Sequence, residues 1–406
     1  MNTLAGSLAW LVAALAGLPL VVLIAEMTAS LSKKPALRSI KPSQASPSCA
    51  ILIPAHDEEG GIAATVAALR DEVPDNTTIL VVADNCTDQT AQRARDAGAL
   101  VIERNDKTLR GKGYALAFGR DYLANSEPPE VVVVLDADCR LLAGSLANLV
   151  HEAIVSGRPV QAVNLIEPAL DAPPMVQVSG FAMLVKNLYR SRGLQRLGGS
   201  ALLTGTGMAF PWHLFSRAPL TSGSIVEDLA LGLDLTRAGH PPFLLEAAGI
   251  RSAPAALGDA LQQRQRWEHG FLQVLRKQAL PTLWSGLRRG SRTELFLGFH
   301  LLVPPLALTL LVAIVALSAL GLSALAGVSA APAITLFVLV TCAVLLLVIA
   351  WLDGGRPYLS PRALLRAPFY ILWKIPIYAR FLLRPEVQWR RTPRSHEDAG
   401  HETQPK

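Results

Sequence analysis

The run Val131-Val132-Val133-Val134-Leu135-Asp136-Ala137-Asp138 carries an apolar stretch into two carboxylates one residue apart. Side chains alternate faces along a strand, so Asp136 and Asp138 are expected to face one spot beyond its carboxyl end. Two acids converging there suit a hard cation, Mg²⁺ or Mn²⁺, which takes one or two carboxylates together with substrate phosphates. In open α/β sheets the ligand crevice lies outside those strand ends, so the implied ligand is a metal-bound diphosphate. An isolated acidic pair of this kind also starts turns and caps helices, so its neighbours must decide.

Two further polar loops follow predicted strands. Pro54-Ala55-His56-Asp57-Glu58-Glu59-Gly60 follows the first and Asp84-Asn85-Cys86-Thr87-Asp88 the second, at the same sheet edge as Asp136 and Asp138. Asp57 and Asp88 stand just before predicted helices, where capping is the competing role. Asp84 has no such explanation. Arg110-Gly111-Lys112-Gly113 is a flexible basic turn able to approach an anion. Glu227 and Asp228 open a later helix, where the helix dipole alone would favour acids. Gln263, Arg266 and Trp267 form a Q-x-x-R-W run, in which the tryptophan is also suited to a membrane interface.

These residues need a scaffold, and the patterning supplies one. Strands are expected at Ser48 to Pro54, Thr78 to Ala83, Leu100 to Ile102 and from Val131. Helices are expected at Ile62 to Arg70, Thr90 to Ala97 and Lys112 to Leu123. This alternation implies an α/β fold with a mostly parallel, Rossmann-like sheet covered on both faces. From about 145 to 225 the pattern reads as irregular, and Asp228 to Ala238 and Leu257 to Leu275 read as helices.

The 406 residues are 51% hydrophobic and 17% charged, a membrane protein's composition. Thr3 to Ala25 carries no charge and reads as an uncleaved anchor within a segment 1–31. Leu295 to Leu352 contains no Asp, Glu, Lys or Arg and reads as two spans joined by a short turn, with Pro304 and Pro305 giving a kink or a late start. Basic clusters beside the spans (Lys33, Lys34, Arg38 and Lys41; Arg288, Arg289 and Arg292; Arg356, Arg362 and Arg366) place residues 42–290 in the cytoplasm of a multi-pass inner-membrane protein. Residues 361–383 read as an interfacial amphipathic helix and 393–406 as a disordered tail. The net charge of +6 sits beside these spans, and no nucleic-acid motif accompanies it. Cys49, Cys86, Cys139 and Cys342 have no metal or disulfide spacing.

Together these motifs resemble the inverting family 2 glycosyltransferases with a GT-A fold, particularly the membrane-bound branch of cellulose, hyaluronan and poly-N-acetylglucosamine synthases. The resemblance covers roughly residues 48 to 275, and its motifs occur in the family's order. D-x-D, then E-D, then Q-x-x-R-W ahead of apolar spans is hard to obtain by chance. It implies that Asp57, Asp84 and Lys112 help bind the donor nucleotide, and that Asp136 and Asp138 hold the donor phosphates and Mg²⁺ or Mn²⁺. It implies Asp228 as general base, Gln263 and Arg266 on the diphosphate, and Trp267 stacked on the acceptor sugar. Thr204-Gly205-Thr206-Gly207 resembles a family loop near the acceptor. The chain departs from the pattern at Ala83, where a second acid is usual, and at Asn85-Cys86, where Gly-Ser is usual.

The implied activity is sugar transfer from a nucleotide-sugar, UDP-linked by resemblance, to a lipid-linked or glycan acceptor at the cytoplasmic face, in exopolysaccharide or envelope glycan synthesis. Polysaccharide-export proteins are the implied partners. A processive polysaccharide synthase and a sugar-nucleotide-forming nucleotidyltransferase are the alternatives.

Overall fold

The structure is a computed structural model that describes residues 2–32, 47–74, 76–221, 226–252 and 257–383. The chain forms two compact units, each discontinuous in sequence. Among the described residues, one comprises 47–74, 76–167, 200–221, 226–252 and 257–263; the other comprises 2–32, 168–199 and 264–383.

The first unit is built on β1 (Cys49–Ala55), β2 (Thr77–Asp84), β3 (Leu100–Arg104), β4 (Val131–Val134), β5 (Cys139–Leu141), β6 (Val160–Ile166), β7 (Met208–Pro211) and β8 (Phe243–Ser252). They form one sheet in the order β3-β2-β1-β4-β7-β6-β8-β5. The first four run parallel, as expected. β7 runs antiparallel to both β4 and β6, while β8 pairs parallel with β6 and antiparallel with β5, so the far half of the sheet is mixed. Strand order reverses at β1, with β2 on one side and β4 on the other. The crevice beyond the carboxyl ends of β1 and β4 is therefore where such a sheet takes its ligand.

Period-two alternation divides the apolar strand residues between two cores. Ile51, Ile53, Val81, Val131 and Val133 pack on one face, and Leu52, Leu80, Val82, Val132 and Val134 on the other. All four valines of β4 are fully buried, each contributing about 1.5–3 kcal/mol of transfer free energy. That burial fixes where β4 ends and hence where Asp136 lies. The helix Lys112–Asn125 lies so close to the sheet that a Cβ on Gly119 would run into Leu52.

The expectation of irregular chain from 145 to 225 is overturned. Besides β6 and β7, this stretch forms the helices Ser145–Ser156, Pro174–Leu184 and Ser191–Arg196 and the π-helix Val185–Arg190. Val176, Phe181, Leu184, Tyr189 and Leu194 are all buried there, so no single apolar stripe marks the helical period.

In the second unit, three helices among the described residues are long and apolar enough to cross a membrane: Thr3–Leu31, Leu306–Leu325 and Ala331–Gly355. The first buries Ala9, Ala13, Ala16, Leu20, Leu23 and Met27 at alternating three- and four-residue spacing, while Leu4, Leu8, Leu11 and Leu15 face outward. Near its end the buried Glu26 accepts from Arg190 Nε at 2.7 Å, with His300 Nδ1 also at 2.7 Å. Leu306–Leu325 begins only after Pro305, behind a separate helix Arg292–Leu301, which is the late start that Pro304 and Pro305 impose. Residues 361–383, expected as one helix, form three short ones: Pro361–Leu364, Ala367–Trp373 and Ile375–Leu383. A proline stands in the first turn of each, where it starts a helix readily but cannot continue one.

Candidate active site

β4 ends at Val134, so Asp136 and Asp138 lie in the turn leading to β5 and not on the strand itself. They converge all the same. Oxygens of Asp136 and Asp138 and the sulfur of Cys139 lie within 4.8 Å of one another. Cys139 N–H donates to the Asp136 carbonyl at 3.1 Å, and Thr65 Oγ1 donates to the Ala137 carbonyl at 2.6 Å, which fixes the turn. Burial pushes the Cys139 thiol well above its ordinary range. The usable donors are therefore two hard carboxylates, a set that fits Mg²⁺ or Mn²⁺ and not a thiophilic metal.

Lys112, the first residue of its helix, forms an ion pair with Asp136 and donates to the Gly205 carbonyl at 2.8 Å. Burial opposes its charge, but Asp136, Glu227 and Asp228 outweigh that and hold the ammonium above its usual range. Gly205 has φ +84°, and a Cβ there would lie 3.2 Å from Asp228 Oδ2 and 3.3 Å from Lys112 Nζ. The Thr204–Gly207 loop thus lies against both the lysine and Asp228, in a backbone conformation that favours glycine. Thr206 Oγ1 accepts from Asp136 N–H at 3.0 Å, tying the same loop to the acidic turn. Gly113 is needed for another close approach, because its Cβ would collide with the Leu220 carbonyl.

Glu227 and Asp228 open the helix Glu227–Arg237. Burial, then the neighbouring Asp228 charge, pushes the Glu227 carboxyl up to about 7, with Lys112 pulling the other way. A cavity of about 10 Å³, room for one water, lies between Lys112, Gly113, Glu227 and Asp228. Asp136, Lys112, Gly205 and Asp228 therefore share one place.

The β1 and β2 loops are arranged differently. Asp57, at φ +52°, accepts from Thr87 N–H at 2.6 Å and from the Thr87 hydroxyl. Asp88 accepts from Thr90 N–H at 2.9 Å and from Glu59 N–H at 3.1 Å, and these bonds outweigh burial to lower its pKa. The N-cap positions of the two helices are Gly61 and Gln89; Asp57 ties the two loops together, while Asp88 does so through Glu59 and also satisfies the free N–H of Thr90, the first residue of the second helix. Asp84, only 7% exposed, accepts from Arg104 Nη1 at 2.7 Å and from Asn85 Nδ2 at 2.9 Å. Burial pushes its carboxyl up, and Arg104 opposes that. Arg104 also pairs with Asp106, whose carboxyl is held down at about 2 by hydrogen bonds from Leu109 and Thr108. Asp57, Cys86 and Asp88 also lie close together, but the two carboxylates have these donors and burial lifts the Cys86 thiol to about 11.

The side chains of Gln263 and Arg266 lie outside the described residues. Trp267, in the first turns of the helix Leu257–Arg289, belongs to the helical unit and is half-buried. Arg104 was not picked out from the sequence. Its only signal is register, since it stands opposite Asp84 across the β2–β3 pair.

With this geometry in place, comparison with known proteins decides the family. The model of glycosyl transferase family group 2 matches residues 131–352, more than half of the chain, and that of glycosyl transferase family 2 matches residues 50–210. The chain is a family 2 glycosyltransferase.

This glycosyltransferase is 35% identical over 102 residues to the low-salt glycan biosynthesis hexosyltransferase Agl6 of Haloferax volcanii, covering 24% of this chain and 22% of that one. It is 29% identical over 105 residues to the protein RfbJ of Shigella flexneri, covering 26% of this chain and 75% of that one. The match thus spans less than a quarter of the archaeal relative's length. Among solved structures, the mannosyltransferase PcManGT of Pyrobaculum calidifontis, in complex with GDP-Man and Mn²⁺, superposes with a TM-score of 0.58 at 18% identity, over 94% of this chain and 100% of that one. That likeness concerns the fold, and the glycosyltransferase unit has the GT-A architecture expected from the sequence.

Proposed function

We propose that this glycosyltransferase moves a sugar, with inversion, from a nucleotide-sugar to a lipid-linked or glycan acceptor at the cytoplasmic face of the membrane, in exopolysaccharide or envelope glycan synthesis. The observation that carries the reading is the meeting of Asp136, Lys112 and Asp228 around Gly205, at the sheet edge where β4 ends. A relative named for glycan biosynthesis and a fold shared with a mannosyltransferase that holds GDP-Man support it.

In this reading Asp228 takes the proton from an acceptor hydroxyl as its oxygen attacks the anomeric carbon, and the bond from that carbon to the diphosphate breaks. The displacement is direct, so configuration inverts. Asp136 and Asp138 would hold Mg²⁺ or Mn²⁺, which when bound neutralises the charge developing on the departing nucleoside diphosphate. Lys112 keeps a fixed positive charge beside Asp136 and would face the same phosphates. Burial and the neighbouring Asp228 charge raise the Glu227 carboxyl to about 7, so Glu227 is the member of the pair that takes up a proton readily. Asp57 and Asp84 would shape the nucleotide's seat, with Asp84 near a uracil. Gln263 and Arg266 would reach the diphosphate, and Trp267 would stack on the acceptor sugar.

The test is a panel of radiolabelled nucleotide-sugars, UDP- and GDP-linked, supplied with Mn²⁺ and native lipid extract to the membrane-embedded protein, with products identified by mass and anomeric configuration. One sugar added with inversion to a lipid-linked product is the expected result. A ladder of products would make the enzyme a processive synthase. Diphosphate release from a nucleoside triphosphate and a sugar phosphate, without transfer, would make it a nucleotidyltransferase.

A further inference from the structure

The helix that carries Trp267 is gripped at the next residue by the C-terminal segment. Glu268 forms an ion pair with Lys374, whose ammonium also lies over the Tyr370 ring, 5.0 Å from its centroid. Lys374 is 3% exposed. One residue further on, His269 is fully buried, and its Nε2–H donates to the Ile377 carbonyl at 3.0 Å. The His269 ring packs against Phe381, with centroids 5.3 Å apart. Tyr378 completes the surroundings, its hydroxyl pushed up by burial and by Glu268 and so kept neutral.

The inward placement of a lysine here calls for a reason. The same segment turns Leu365, Phe369, Leu372 and Trp373 outward, leaving apolar side chains exposed while a charge is buried. A buried ion pair is seldom more stable than apolar residues of the same volume, because desolvation offsets the attraction. What such a pair can supply is register, since only one rotation of the helix brings the carboxylate to the ammonium. The His269 bond to a backbone carbonyl selects the same rotation from the adjacent position.

We infer that Lys374 and Glu268 are a positioning pair, through which segment 361–383 fixes the rotation of the helix at Trp267 and so the place of the ring proposed to stack on the acceptor. The inference rests on the acceptor role proposed above for Trp267, and the experiment separates the two.

The full chain would be labelled with 5-fluorotryptophan in lipid nanodiscs, with the Trp267 resonance assigned through Trp267→Ala. Lys374→Met is expected to shift or broaden that resonance and leave that of Trp284 unchanged. Trp284 is the internal control, being exposed and further along the same helix. Lys374→Arg is expected to restore the signal. Transfer to native lipid extract should fall about tenfold in Lys374→Met, inside the ~10²-fold that a displacement of ~1 Å can cost. Binding of UDP or GDP, whichever the wild type holds more tightly, should weaken with it, because Arg266 precedes Trp267 on the same helix. If Lys374→Met does not fold, Glu268→Gln is read in the same way. An unmoved Trp267 resonance overturns the inference, and so does a common change at Trp267 and Trp284, which would mean general loosening of the helix. Wild-type transfer by Trp267→Ala would remove the acceptor role itself, while the spectrum would still decide the positioning.

Discussion

At one edge of the sheet, the carboxylates that follow β1 and β2 and those that follow β4 have different neighbours. Asp57 accepts from a backbone N–H of the facing loop, Asp88 from one there and one at the start of its own helix, and Asp84 is closed off by Arg104 and Asn85. Asp136 instead meets a lysine ammonium, stands close to a second acid at Asp138, and shares the Gly205 loop with Asp228. A carboxylate saturated by backbone donors shapes a loop. One that faces a lysine ammonium and neighbouring acids stands where the proposed metal and phosphates would sit. In the reading proposed above, residues of the same type, in the same kind of loop, divide into scaffold and chemistry.

The largest effect should come from the chemical cluster. Asp228→Asn is expected to lower transfer by about 10²–10⁴-fold, the usual contribution of a general base, while nucleoside diphosphate binding survives. Rate and binding measured on the same preparation check this, and near-normal transfer would move Asp228 to the scaffold side. Next comes Arg104→Met, which leaves Asp84 buried without its partner and should destabilise the fold by about 3–5 kcal/mol. Adding Asp84→Leu should recover most of that loss, and thermal unfolding of the single and double variants checks it.

Much of this division was legible from residue patterns, and the illegible part has a physical cause. β1, β2 and β4 announce themselves because both faces are buried, so nearly every residue is apolar. The acids follow those runs directly and could be found as a group. Which acid is occupied could not be read, because Arg104 reaches Asp84 only through the β2–β3 register and Thr87 reaches Asp57 across two loops. Residues 168–199 pack with the N-terminal helix, and an association over that distance along the chain leaves no local pattern. Gly205 was visible only as part of a glycine-rich turn. Its contact with both Lys112 and Asp228 is a property of the folded loop.

Smaller effects sharpen the contrast. Asp57→Ala and Asp88→Ala should each cost about 1 kcal/mol of stability, the worth of a lost side-chain acceptor for backbone N–H groups, with little change in transfer for Asp88→Ala and a modest weakening of donor binding for Asp57→Ala. Glu227 gives a gentler signature. Its pKa is raised from 4.5 to about 7, so the folded chain holds this proton where the unfolded chain has lost it. By linkage its stabilising effect is complete below pH 4.5 and is lost as the pH rises to about 7. Thermal melts across that window, without metal or donor, should decline more steeply for the wild type than for Glu227→Gln.

Asp136 and Asp138, and not Asp57 and Asp88, are expected to hold the divalent ion. Mn²⁺ titration followed by electron paramagnetic resonance, with UDP or GDP present, compares the wild type with the Asp136→Asn/Asp138→Asn and Asp57→Asn/Asp88→Asn double variants. A nucleotide-dependent Mn²⁺ site is expected in the wild type and, at saturating nucleotide, in the Asp57/Asp88 variant, and none when Asp136 and Asp138 are changed. A site that persists without Asp136 and Asp138, or that disappears with Asp57 and Asp88 from a folded protein, would contradict this assignment.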